Sequence, residues 1–140
     1  MSALDREILA ERASAVERHL RRVAAKLPPS ADALLPASDA SDAVILHLWQ
    51  AVQIVLDVAL ATCAALHLGA PGSYGDAFRR LAAAGVVESA LADRLVRAAG
   101  FRNFIAHAYE AIDLTRVHEA ATKGPPDLRR FLAAVRDALP

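Results

Sequence analysis

The segment that most restricts how this chain can fold lies between Val44 and His67, where apolar residues fill more than one face of any helix drawn through them. Its densest part is Ile54-Val55-Leu56-Asp57-Val58-Ala59-Leu60-Ala61. The length approaches that of a membrane span, yet Asp42, His47, Gln50, Gln53 and Asp57 recur about once per turn or two and make insertion expensive. Hydrophobic residues make up 55% of the 140 positions and aromatics 5%. A core must then be packed from aliphatic and Ala side chains, which suits closely spaced helices better than a sandwich. The segment is expected as the central helix of an all-α bundle, one side covered by its own domain and another by a second protomer. The chain has room for one domain, 1–140, and not for two ordinary ones.

The flanking segments read as further helices. Leu4, Ile8, Leu9, Val16, Leu20, Val23 and Leu27 recur mostly three or four apart, which predicts an amphipathic helix stopped by Pro28-Pro29. A polar connection follows to about Asp42, with Ser41 or Asp42 as the expected cap of the central helix and Gly69 and Pro71 as its end. Ser73 opens a short third helix, with Asp76 completing an imperfect capping box and Gly85 closing it. A fourth starts near Glu88 or Ser89 and carries Leu91, Leu95, Val96 and Ala99; Gly100 inside it costs roughly 1 kcal/mol relative to Ala and suggests close helix approach or a bend. A fifth segment, Leu114 to Ala121, is expected to break at Gly124-Pro125-Pro126, after which Asp127 caps a last helix burying Leu128, Phe131, Leu132, Val135 and Leu139. There is no internal repeat or low-complexity linker.

Sixteen basic and sixteen acidic residues cancel, so no global positive field draws nucleic acid nonspecifically and any such contact has to be local. The single cysteine, Cys63, excludes an internal disulfide, and the charged start Met1 to Glu7 leads into no uninterrupted apolar stretch, which predicts a cytoplasmic protein. Cys63 and His67 stand four apart on one helix face, but without a second pair of ligand spacing they read as a buried cysteine beside a helix-end histidine, and no metal site is expected. His19, His47 and His118 read as surface or partly buried helix positions. Arg79-Arg80, Arg94, Arg97 and Arg129-Arg130 read as solvated faces, with Arg94 and Arg97 candidate RNA contacts because they precede the polar cluster described next. No phosphate-binding glycine loop or nucleophile elbow is present.

Arg102-Asn103-Phe104-Ile105-Ala106-His107-Ala108-Tyr109 gathers a charged fork, an amide, an imidazole and a phenol into eight residues of an otherwise aliphatic chain. The spacing Arg-x4-His-x-Tyr resembles the signature of the HepT-like branch of the HEPN ribonucleases. Gln50 to Asp57, Ser73 to Phe78 and Ala99 to Asn103 look like that family's segments, in its order. Arg-x4-His alone would read rather as an Arg ion pair beside a helix-terminal His; Asn103, Tyr109 and the matching flanks reverse that and turn the reading towards catalysis. The parts suit RNA cleavage by the substrate's own 2′-hydroxyl. His107 can serve as general base or acid, Arg102 can stabilise the phosphorane, Asn103 can orient imidazole or phosphate, and Tyr109 can donate a hydrogen bond or stack.

In an uninterrupted helix Arg102 and Tyr109 share a face, as do Asn103 and His107, while positions 102 and 107 lie about 140° apart. Either the helix deforms near Gly100 or two copies of the motif meet. The resemblance implies the second: an up-and-down HEPN bundle, homodimeric with a composite cleft, acting as a metal-independent endoribonuclease toxin without cofactor. It also implies a minimal nucleotidyltransferase antitoxin that transfers AMP to Tyr109. HEPN relatives without activity keep the bundle as a binding module, so a non-catalytic adaptor for a nucleotidyltransferase is the alternative, and a small-ligand bundle a third. Asp57, with Gln53 one turn earlier, is either a solvated position or an acidic group in the dimer cleft in contact with RNA.

Overall fold

The computed structural model describes residues 3–107 and 112–140, and the side chains of all of these except residues 106 and 107. The described residues form five helices, α1 (Arg6–Lys26), α2 (Asp39–Ala65), α3 (Tyr74–Ala83), α4 (Ser89–His107) and α5 (Leu114–Ala138), with one 3-10 turn at Ala31–Ala33 and no strand. Tyr109 lies outside the described residues.

α2 is the centre, as its composition requires. It packs against each of the other four helices, most extensively against α1, which runs antiparallel to it. Val44, Leu48, Val52, Val55, Leu56 and Ala59 are buried along it. By length and composition α2 could cross a membrane, yet only 44% of its most apolar stretch is buried, and Leu46 remains largely exposed. Phe78 of α3 meets Phe131 of α5 edge to face at 5.4 Å, closing the core on the far side.

Two boundaries of α2 differ from the sequence expectation. Its cap is Ser38, whose hydroxyl accepts from the Ser41 amide while the Ser41 hydroxyl accepts from the Ser38 amide. Ser41 is thus the reciprocal partner in a capping box rather than the cap, and the helix starts three residues earlier. At the other end His67 takes the left-handed position (φ 58°) while the Leu68 amide bonds the Cys63 carbonyl at 2.9 Å and the His67 amide that of Ala64 at 3.3 Å. His67 has therefore left the helix and does not share a helix face with Cys63, which is buried against the Ala77 carbonyl of α3. α3 keeps to expectation: Ser73 caps it, Gly85 ends it at φ +76°, and Asp76 bonds the Gly72 amide, one residue before the cap.

The larger correction concerns α5, which runs unbroken through Gly124-Pro125-Pro126 where two helices were expected. The prolines withdraw two amide donors and each costs about 3 kcal/mol in a helix interior. The buried stripe explains the outcome: Val117 and Ala121 before the prolines stay in helical phase with Leu128, Phe131, Leu132 and Val135 after them. A break would take one half of the stripe off the core, and large apolar side chains contribute about 1.5–3 kcal/mol each when buried. Asp127, expected as a cap, instead bonds Arg94 of α4 at 3.0 Å. Gly100 brings no helix close, because a Cβ there would meet nothing within 4 Å, and α4 continues through it.

One polar contact sits inside the main helix pair. His19 of α1 and His47 of α2 bring their Nδ1 atoms to 3.0 Å, a geometry in which one ring donates and the other accepts. Burial, then the facing His47 and the charges of Arg18 and Arg22, hold His19 below its ordinary value of 6.5. Burial and Arg22 do the same to His47. Because the unfolded chain takes up these protons first, the pair's contribution is intact above pH 6.5 and is lost as pH falls through the depressed folded values. Asp76, held low by the Gly72 amide and Arg80, acts in the same direction but only below 3.8. Urea midpoints should therefore drop between about pH 7 and about pH 5, and the double variant His19→Gln/His47→Gln should drop less. Equal slopes for the two proteins would show that the pair does not govern this window.

Candidate functional site

Arg102 lies seven residues beyond Leu95 and so falls in phase with the buried face of α4, between the buried Ala99 and Ile105. There it meets the polar ridge of α2, formed by Trp49, Gln53 and Asp57 at intervals of four. Arg102 Nε donates to Gln53 Oε1 at 2.8 Å, and its Nη1 donates to Asn103 Oδ1 at 3.1 Å. The guanidinium carbon stands 5.4 Å from the centre of the Trp49 ring, within cation–π range. Gln53 Nε2 in turn donates to Asp57 Oδ1 at 3.0 Å and approaches the hydroxyl of Tyr74 at 3.3 Å. Three helices, α2, α3 and α4, thus contribute to one chain of hydrogen bonds.

Arg102, Asn103, Gln53 and Asp57, singled out in the sequence, are brought together; Arg97 is not. Five residues before Arg102 on the same helix, it lines a separate groove of about 350 Å³ between α4 and α5 with Arg94, Phe101 and Arg116. His107 closes α4, with its side chain outside the described residues, as is Tyr109 entirely. Sequence reasoning missed Trp49 and Tyr74. Trp49 had a signal, as the single tryptophan one turn before Gln53 on the same ridge. Tyr74 had none of its own, since only the fold carries the start of α3 to α2.

A cavity of about 560 Å³ opens beside the chain, with Tyr74 and Asn103 on its wall, Arg79 at its edge and Gly100 facing it. The absence of a side chain at Gly100 leaves this space open. Among the described residues no group of three His, Cys, Asp or Glu side chains could hold a metal ion. Cys63 is not reactive there: burial pushes its thiol up.

The arrangement holds a permanently charged, planar fork at the surface end of a core stripe. Nε and one hydrogen of Nη1 are committed; Nη2 and the other Nη1 hydrogen have no partner among the described residues. That free edge matches two oxygens of one phosphate.

Comparison with known proteins gives the family and the fold. The family model described as Ribonuclease HepT-like matches residues 12–135, so the chain belongs to that family. It is 28% identical over 95 residues to the mRNA nuclease HepT of Shewanella oneidensis, covering 68% of this chain and 71% of that protein. In fold it is similar to the tri-AMPylated Shewanella oneidensis HEPN toxin in complex with MNT antitoxin, with a TM-score of 0.83 at 23% identity over 93% of this chain and 97% of that one. A toxin–antitoxin crystal structure with AMP-PNP gives a TM-score of 0.83 at 22% identity, covering 94% and 98% of the two chains. The cytosolic protein YutE of Bacillus subtilis, of unknown function, shares the fold at a TM-score of 0.80 and 18% identity, covering 99% and 92%. The bundle is thus a HEPN fold, and the family's described activity is that of a ribonuclease.

Proposed function

We propose that this chain is a cytoplasmic, metal-independent endoribonuclease toxin, a single HEPN domain over 1–140 that acts as a homodimer and is neutralised by a minimal nucleotidyltransferase antitoxin. The observation that carries the reading is the guanidinium of Arg102, held near the end of α4 with an edge that no described residue occupies, in a chain of the Ribonuclease HepT-like family. The substrate's 2′-hydroxyl attacks the adjacent phosphorus, its proton passes to one His107, and the 5′-oxygen leaves with a proton from the other. Arg102 stabilises the charge on the phosphorane, and Asn103, bonded to Arg102, orients imidazole or phosphate.

Two copies are required because α4 runs without interruption through Gly100 to His107, and in a continuous helix positions 102 and 107 lie about 140° apart. The half-covered face of α2, with Leu46 exposed, supplies apolar area for the dimer alongside α4. Light scattering at micromolar concentration should give twice 14.9 kDa, and a mass that stays at 14.9 kDa would contradict a shared site.

Cleavage itself is tested on antitoxin-free protein with labelled RNA in EDTA. Wild type should cut and leave a 2′,3′-cyclic phosphate, because the nucleophile belongs to the substrate. His107→Ala and Arg102→Ala should each lose roughly 10²-fold or more while keeping the helical circular dichroism of the parent. Activity that vanishes with chelator, or survives His107→Ala, is incompatible with this mechanism. An unmodified wild type that cuts no RNA would favour the adaptor reading.

Tyr109 is the proposed AMP acceptor. An adenylate on it would bring bulk and negative charge to the phosphate site of Arg102 and repel RNA. Intact mass after incubation with the nucleotidyltransferase, ATP and magnesium should rise by adenylate on wild type and not on Tyr109→Phe. Equal labelling of both proteins would remove the assignment.

A further inference from the structure

Gln53 and Asp57 are expected from the sequence as possible contacts to RNA, but their hydrogen bonds point inward, to Arg102 and to each other. We infer that Gln53 is a positioning residue that fixes the guanidinium of Arg102, that Asp57 and Tyr74 set the orientation of the Gln53 amide, and that RNA meets Arg102 rather than this support. The inference rests on the ribonuclease reading for its catalytic consequence and on geometry for the rest.

The orientation of the amide follows from donor and acceptor types. An ionised carboxylate only accepts and a guanidinium only donates, so an amide between them satisfies both in a single orientation. Its nitrogen must face Asp57, at 3.0 Å, and its oxygen Arg102, at 2.8 Å. Turned over, it would set two donors against the guanidinium and an oxygen against the carboxylate, and both bonds would go. The Tyr74 hydroxyl, 3.3 Å from the same nitrogen, brings α3 into this support, and the Trp49 ring lies on the other side of the guanidinium.

A neutral residue at position 53 has a chemical reason. A carboxylate touching Arg102 would pair with its charge directly and compete with the phosphate for the fork. An amide accepts from Nε without cancelling the charge, while the acid that orients it stays one residue removed. The free Nη2 edge is then held in place before substrate arrives, which is how a static hydrogen bond contributes to a transition state.

The swap of the two side-chain types tests this. Gln53→Glu alone sets two carboxylates side by side, and Asp57→Asn alone lets the position-53 amide turn over. The double variant Gln53→Glu/Asp57→Asn restores a connected chain, with an acceptor facing Arg102 and an amide donor facing that acceptor from position 57. Gln53 is half-buried and Asp57 exposed, so these changes leave the core intact. Turnover should fall by roughly 10- to 100-fold in Gln53→Ala and in each single variant, with KM moving less, and the double variant should exceed Gln53→Glu while its carboxylate beside Arg102 keeps it below wild type.

A second readout does not depend on cleavage: exchange with water of the Arg102 Nε–H proton, followed by NMR on the full-length ¹⁵N-labelled protein. It should be slow in wild type, fast in Gln53→Ala and slow again in the double variant. A wild type that cuts no RNA would overturn the ribonuclease reading and leave the exchange data to decide the positioning role. Slow exchange in Gln53→Ala, or a double variant no better than either single in exchange, would overturn the positioning role itself.

Discussion

The burial of one broad face of α2 beneath four other helices is the constraint from which the rest of the molecule follows. A helix apolar over more than one face cannot lie on a surface, so the other four described helices are arranged around it and each contacts it. The cost falls at its polar positions. His47 meets a partner in His19, and Gln53 and Asp57 bond one another and Arg102. Two of the groups that interrupt the apolar run, Gln53 and Asp57, are thus the groups that support Arg102.

Arg102 depends on this arrangement in a specific way. It occupies a position in phase with Leu91 and Leu95, where a helix ordinarily places another apolar residue. A guanidinium can stand there because α2 presents an amide and an indole at that level instead of aliphatic side chains. The partly buried stem packs at the edge of the core while the polar end is hydrogen-bonded, so neither burial nor exposure is complete. The geometry of the charge is set by the packing of three helices, which is stiffer than any loop.

Much of this was legible in the sequence because periodicity and caps are local signals. The span of α1, the stop at Pro28-Pro29, and the Ser73 and Gly85 limits of α3 all follow from residues within a turn of the boundary. Where a local signal met a tertiary one, the local reading failed. Pro125 and Pro126 are strong breakers, yet the apolar positions on either side keep one phase, and that continuity decided α5. It was readable beforehand by extending the stripe across the prolines. The cap at Ser38 was missed because the nearer Ser41 is itself half of the box. Arg102, Asn103, Gln53 and Asp57 were found as candidates, but their connection was not, because the pairing of positions 53 and 102 is a fact of helix packing and the contribution of Tyr74 arrives from a third element.

A chain without net charge has to make any attraction for phosphate locally, and several of its cations are matched by acids. Arg94 is matched by Asp127, Arg80 by Asp76, Arg129 by Glu17 and Lys123 by Glu119, so these cations contribute little field beyond their own pair. Arg102 is held without such an acid among the described residues. Its hydrogen-bond partners, Gln53 and Asn103, are both neutral amides, and the nearest acid in the chain of bonds is separated from it by one of them. Hydrogen-bond geometry is thereby satisfied without charge neutralisation by these partners, which leaves a positive charge at a fixed place. Among the described residues no carboxylate is hydrogen-bonded to the guanidinium, so an anion approaching it displaces none of them.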